Sequence, residues 1–323
     1  MSARTGKVRR VLIQGAEGLG VLTLVLLTAI GIFRAWSFEG RDFSVFHAVF
    51  LCVVEGRGLE IFHAPPDRYL YAPGFAYLFS PLGLFSEKTA LLIFSAVKAG
   101  ALAHLLLTIK ERQLRPISWG IVAWGALFAG RSLLVDFTYG QVNLMVAWAT
   151  FTALWLHLGD HKSRPLAFFA WSVAAIAAAS KLLTLPILLL PWFRRGRPVA
   201  AWERLGTVAG LAVLIIVPFL FEGWDNGLNL HWQWWEALQS RGFPLETHNQ
   251  SLPAFIHRIL GDSLSPYIAM EHRFDFSWHW VTAQQAWWLS LAAVMLALGT
   301  VCAWILFPIL GRRYILWRPA SGA

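Results

Sequence analysis

Charge is what this sequence has least of. Asp, Glu, Lys and Arg make up 14% of its 323 residues and hydrophobic residues 57%, whereas a soluble domain carries about 25% charged residues. That balance excludes an ordinary soluble enzyme. Apolar runs near the membrane-spanning length of ~20 residues recur along the whole chain, so an all-α polytopic membrane protein is expected. Cysteine is nearly absent: Cys52 and Cys302 lie far apart in apolar surroundings, which excludes a disulfide or cysteine–metal framework. Low-complexity tracts and a helical-repeat signature are missing, and no nucleotide-binding fold is visible. The first apolar run, Val11 to Phe33, has no small-residue cleavage site after it, so it reads as a retained span and not as a signal peptide.

What charge there is sits in short clusters between the apolar runs. The net charge of +9 could suggest nucleic acid, but this placement is the pattern of topology signals, and no nucleic-acid partner is expected. The clusters are Lys7/Arg9/Arg10, Lys110/Arg112/Arg115, Lys162/Arg164, Arg194/Arg195/Arg197/Arg204 and Arg312/Arg313/Arg318. Placing all of them in the cytoplasm predicts about eight crossings with both termini inside. The spans run at about 11–34, 88–109, 116–134, 141–158, 165–179, 182–193, 199–220 and 285–310. They form a single membrane domain over residues 1–323, with outer regions 35–86 and 221–284 building one face and a short outer turn at 135–140.

Half-length apolar stretches at 43–54 and 72–85 are too short to span and predict interfacial or re-entrant helices. The fifth and sixth spans are short and interrupted by Lys181 and Pro186, and broken helices at depth are tolerated mainly where they line a polar cavity. Trp224, Trp232, Trp234, Trp235, Trp278 and Trp280 place the second outer region at headgroup level, in contact with membrane lipids.

A few polar residues in this background need a reason. Asp42, in "GRDFSVFHAVF", precedes apolar positions Phe43, Phe46, Val49/Phe50 and Val53, so a helix starts there. One reading makes Asp42 the N-cap of that helix; position 45 is Val, so there is no capping box. The other makes it a catalytic base at the outer membrane surface. Lys181 is the only charge between Arg164 and Arg194. It is either a snorkelling lysine at the end of a span or a cation for an anionic ligand such as a lipid phosphate.

Asp136, Tyr139, Gln141 and Asn143, in "VDFTYGQVN", read as helix capping or as hydrogen-bonding groups for a sugar or phosphate. Gly140 lets the chain turn. Tyr71 and Pro73 lead a half-length helix with Pro81 inside it; the prolines start and break that segment. His248, Asn249, Gln250 and Ser251 precede an amphipathic stretch. Asn249-Gln250-Ser251 also fits the N-glycosylation pattern, a match common by chance. The other outer histidines, His47, His63, His231, His257, His272 and His279, show no tight metal spacing, and no metal or other cofactor is expected.

Taken in order, an Asp after span 1, Tyr71-Ala72-Pro73, "GQVN" at 140–143, a Lys between two short spans and "NQSL" at 249–252 resemble glycosyltransferase family 87. The resemblance runs from about residue 10 to 310. These are polytopic enzymes of GT-C type that include polyprenyl-phosphate-mannose-dependent mannosyltransferases. It implies a GT-C-like bundle and hexose transfer, commonly of mannose, from a polyprenyl-phosphate sugar donor. The acceptor would be a lipid-linked or cell-envelope glycan, on the outer side of a bacterial plasma membrane. Asp42 then matches the catalytic aspartate, Lys181 and His248 the donor-phosphate contacts, and Tyr71, Gln141, Asn143, Asn249 and Gln250 the substrate-binding positions. Family members are often longer. The chain stops at Ala323 just after the last expected span, which leaves both a short member and a C-terminally truncated one as readings. Asp42 has no second acid two residues on, so a metal-binding acidic pair is not expected.

The chemistry is consistent with this. A phosphate leaving group calls for a nearby cation, and the acceptor hydroxyl calls for a base. A single carboxylate predicts inversion, since a covalent route by analogy with glycosidases needs two. The alternatives are a transporter or flippase of a polyprenyl-linked substrate, with Lys181 at a midplane site, and an inactive truncated homologue. A transporter would commonly show internal repeats, and none is found.

Overall fold

The structure is a computed structural model. It describes residues 3–38, 40–63, 69–111, 124–159 apart from 126, 163–180, 182–193, 199–241 and 281–310, with the single positions 256 and 260. The described residues are helical and contain no β-strand, as the composition predicts. In chain order the helices are α1 (Ala3–Phe38), α2 (Arg41–Val54), α3 (Pro73–Phe79), α4 (Glu87–Glu111), α5 (Gly130–Tyr139), α6 (Asn143–Leu158), α7 (Arg164–Ser180), α8 (Leu190–Phe193), α9 (Ala200–Glu222), α10 (Trp224–Arg241) and α11 (Ala283–Leu310). Short 3₁₀ segments cover Gly58–Glu60, Ser80–Leu84 and Leu182–Leu189. The chain divides into two compact units, residues 1–235 and 236–323; α11 belongs to the second.

Among the described residues three helices are long and apolar enough to cross a membrane: Glu17–Ser37 within α1, Glu87–Ile109 within α4, and Ala200–Glu222, which is α9. Asp42–Val54, Asn143–Leu158, Arg164–Ser180 and Thr184–Phe193 are apolar but shorter. At about 1.5 Å per residue, α2 reaches roughly 20 Å against a hydrocarbon core of about 30 Å. α7 ends at Ser180, and Leu182–Leu189 form a 3₁₀ segment containing Pro186 before α8; Lys181, expected to interrupt this stretch, lies outside the described residues. The half-length stretches also form as short elements, with Pro73 at the start of α3 and Pro81 in the 3₁₀ turn that follows.

One expectation is corrected. Residues 135–139 are not an outer turn but the last residues of α5. The helix ends at Gly140, which has φ 67. The Gly140 N–H donates to Phe137 O at 3.2 Å and the Gln141 N–H to Asp136 O at 2.9 Å. These are the two bonds of a Schellman ending, which needs a left-handed residue that glycine supplies without strain.

The tightest packing in the first unit is between α7 and α9. Gly206 and Gly210 stand four apart on α9, so they share one face. A Cβ at 206 would overlap the carbonyl oxygen of Phe168, and one at 210 the carbonyl oxygen of Ser172. Ala167, Trp171, Ala174, Ala175 and Ala178 of α7 are buried, so small residues on both helices let the backbones meet. In lipid, association rests on such close packing because no hydrophobic force separates helix from solvent. Glu203, one turn before Gly206, is fully buried and bonds His157 of α6 at 2.9 Å. Gly206→Leu is therefore expected to force the helices apart at a cost of about 1–3 kcal/mol or more, read as a lower thermal midpoint of the detergent-solubilised protein. An unchanged midpoint would show that the helices do not rest on this contact.

A second tie joins α3 to the end of α9. Tyr77 donates its hydroxyl to Glu222 at 2.7 Å. Burial, and next the Glu222 carboxylate it serves, push this hydroxyl far above the ordinary tyrosine range. The neutral hydroxyl is thus preferred more strongly in the folded chain than in the unfolded one. Its contribution is full below the unfolded pKa of about 10 and is lost as pH rises above that value. Tyr77→Phe is expected to cost about 1–2 kcal/mol at neutral pH and to flatten the alkaline fall in thermal midpoint. A variant with the wild-type alkaline profile would assign that fall to other groups.

Candidate active site

The site is organised around the first turn of α2. Gly40 precedes the helix in a left-handed conformation (φ 50, ψ 77) and is the N-cap residue, with no side-chain cap bond. Asp42 therefore is not the N-cap, which corrects the first of its two sequence readings. It stands inside the first turn, where the exposed N–H groups of the helix make a carboxylate electrostatically welcome. The Asp42 side chain is half-buried and forms no hydrogen bond to another described residue. The apolar face that follows it behaves as its spacing predicts: Phe43, Phe46, Val49 and Phe50 are buried. His47, on the next turn, donates from Nε2 to the carbonyl oxygen of Phe85 at 2.9 Å, pinning α2 to the entry of α4.

Two further sequence motifs come to the same place. Gly140 lies so close to α2 that a Cβ there would sit 2.5 Å from the Cβ of Phe43. The "GQVN" turn thus packs on the residue next to Asp42. Within that turn Asn143 Nδ2 donates to Gln141 Oε1 at 2.6 Å. Tyr71 packs its ring edge-on against Phe46, centroids 5.0 Å apart, one turn beyond Asp42, and continues the aromatic wall through Phe75 at 5.4 Å and Tyr69 at 5.7 Å. Asp42, Tyr71, Gln141 and Asn143 are thereby gathered around the start of α2. Lys181, His248, Asn249 and Gln250 lie outside the described residues.

The structure adds Lys98 and gives Asp136 its partner. Lys98, in the middle of α4, is fully buried, and its Nζ lies 2.5 Å from Oδ1 of Asp136, itself 4% exposed. The same Nζ donates to the main-chain oxygen of Asp136 at 2.7 Å and lies over the rings of Phe137 (4.7 Å) and Phe94 (5.5 Å). Oδ2 of Asp136 accepts the N–H of Leu144 at 3.2 Å, satisfying an open donor at the start of α6. A charged lysine in "FSAVKAGALAHLLL" is a visible signal, because an ionisable residue within a span is a functional position by default. Sequence reasoning applied that rule to Lys181 and passed over Lys98.

This arrangement holds two carboxylates in different states. Asp136 is engaged by an ammonium and a backbone N–H, while Asp42 is half-buried and bonded to no other described residue. No cluster of three or more His, Cys, Asp or Glu that could hold a metal ion occurs among the described residues.

Comparison with known proteins gives one match. The family model of glycosyltransferase family 87 covers residues 69–321, which takes in Tyr71, the "GQVN" turn, Lys181 and "NQSL" and begins after Asp42. No curated protein and no solved structure matches significantly. The matched stretch spans most of the chain, so the protein, a membrane glycosyltransferase acting on a sugar donor and an acceptor, belongs to glycosyltransferase family 87.

Proposed function

We propose that the protein transfers a hexose, mannose in the first instance, from a polyprenyl-phosphate donor to a lipid-linked or cell-envelope glycan, with Asp42 as general base. The observation that carries this reading is the half-buried carboxylate of Asp42, in the first turn of α2 and next to Phe43, on which the "GQVN" turn packs. In the proposed step the acceptor hydroxyl attacks the anomeric carbon and its proton passes to Asp42. The bond from that carbon to the phosphate oxygen breaks, and polyprenyl phosphate leaves with the bonding electrons. Gln141 and Asn143 offer amide donors and acceptors to sugar hydroxyls, and Tyr71 supplies part of an aromatic wall. Lys181 and His248 would steady the departing phosphate, with Asn249 and Gln250 as further contacts to the sugar.

Inversion at the anomeric carbon fits, because a covalent glycosyl-enzyme needs a second free carboxylate and Asp136 is held by Lys98 and Leu144. The reading places the site on the outer face of a plasma membrane, in a bundle of about eight crossings with both termini inside and re-entrant segments around α2 and α3.

Membranes carrying the protein, incubated with radiolabelled polyprenyl-phosphate mannose, are expected to accumulate label in lipid-extractable glycans and to release polyprenyl phosphate. Label that crosses the bilayer while remaining on the donor would overturn the reading in favour of a carrier.

A further inference from the structure

We propose that Lys98 and Asp136 are positioning residues for the transfer: the buried pair holds the 136–144 turn against the first turn of α2 and so sets the place of Gln141 and Asn143 relative to Asp42. This rests on the reading of Asp42 as the base. Three observations carry it.

First, one ammonium grips both ends of the turn. Its bond to the Asp136 carbonyl, which also accepts the Gln141 N–H, fastens the end of α5. Its contact with the Asp136 carboxylate fastens the group that accepts the Leu144 N–H at the start of α6. The residues between, including Gln141 and Asn143, have both their anchors on Lys98.

Second, the fastened turn touches α2 through backbone-level contacts. Gly140 leaves no room for a Cβ beside Phe43, and a packed glycine contact transmits displacement because interiors are close-packed. The Phe43 ring in turn meets Phe94 at 5.3 Å, and Phe94 lies under the Lys98 ammonium at 5.5 Å. Lys98, the turn and the residue adjoining Asp42 are thus one contiguous packed unit.

Third, stability alone does not call for an ion pair here. Well-packed apolar residues of similar volume often replace a buried pair without loss of stability. What such residues lack is the directed bond to the Asp136 carbonyl, with the ion pair to its carboxylate, that defines where the turn lies.

The test uses full-length protein in membrane vesicles with radiolabelled polyprenyl-phosphate mannose, reading kcat, donor KM and the thermal midpoint of the extracted protein. In the doubly apolar variant, Lys98→Met with Asp136→Leu, kcat is expected to fall by about tenfold or more, because small misplacement of reacting groups is costly. Donor KM should stay within about twofold and the midpoint near wild type. Asp136→Asn has a single side-chain oxygen, so it keeps an acceptor for Lys98 or for the Leu144 N–H but not for both; its kcat should fall, though by less than that of Asp136→Leu.

Wild-type kcat in the double variant, or a rise in KM with kcat unchanged, overturns the proposal. If the double variant does not fold, Asp136→Asn decides: a reduced kcat in folded protein supports positioning and a wild-type kcat overturns it. Asp42→Asn is measured alongside. Full turnover in Asp42→Asn removes the base reading, whereas an inactive Asp42→Asn beside a fully active pair variant removes only the positioning proposal.

Discussion

Asp42→Asn is expected to lower sugar transfer by roughly 10²–10⁴-fold, the range typical for loss of a general base. The substitution keeps the shape of the side chain and removes its capacity to take a proton. Little else should change. Gly40, not Asp42, occupies the N-cap position, and the Asp42 side chain makes no capping bond. Stability should therefore move by only about 0.3–1 kcal/mol, the scale of losing one charge near a helix N-terminus. Kinetics at saturating polyprenyl-phosphate mannose separate the outcomes. A fall in kcat at unchanged donor KM marks an interaction made in the transition state. Near wild-type turnover in a folded variant would leave Asp42 as a dipole-complementing residue and nothing more.

The second large effect concerns stability. Lys98→Met alone is expected to cost about 3–5 kcal/mol, because removing one partner of a buried pair leaves the other charge without compensation. The setting is severe: Lys98 is 0% and Asp136 4% exposed. The stranded Asp136 would keep backbone N–H groups of the α6 start, Leu144 among them, as partners but no cation. The expected readout is a strong loss of monodisperse protein on size exclusion after extraction, together with a markedly lower thermal midpoint. Adding Asp136→Leu should recover most of that loss, since the orphaned charge is then gone. Lys98→Met behaving like wild type in both measurements would mean that Asp136 finds another partner and that the pair is not coupled.

The two experiments interrogate different layers of the same site. Asp42 acts on reacting atoms and should change rate with little change in stability. Lys98 touches only protein groups among the described residues, and its single loss should change stability first. That division follows from burial: a half-buried carboxylate can exchange a proton with substrate, and a fully buried ammonium held between a main-chain oxygen and a carboxylate cannot.

Much of this was legible in the sequence. Composition alone determined a helical membrane protein, because 57% hydrophobic and 14% charged residues leave too little polar surface for a water-facing fold, and only hydrogen-bonded helices or closed barrels suit lipid. Periodicity located α2 and its buried face, since Phe43, Phe46, Val49 and Phe50 fall on one stripe of a helix. The prolines at 73, 81 and 186 marked where short segments start or break, as their missing N–H requires. The order of Tyr71, "GQVN", Lys181 and "NQSL" pointed to the family that the comparison then established.

Tertiary structure decided the rest, and the reasons are physical. The role of Gly40 as N-cap depends on a left-handed backbone that no local pattern near Asp42 announces. The placement of Asp136 in α5 depends on where the Schellman ending falls: the helix runs on to Tyr139, past the end at about 134 that the apolar run suggests. Above all, the pairing of Lys98 with Asp136 joins positions 38 residues apart. From sequence, Asp136 reads as a cap or a hydrogen-bonding group and Lys98 attracts no reading; only the packing of α4 against the 136–144 turn makes one the answer to the other. The same packing sets Gly140 against Phe43 and so brings the "GQVN" turn to Asp42, a meeting that depends on helix approach in three dimensions and on no feature of either segment by itself.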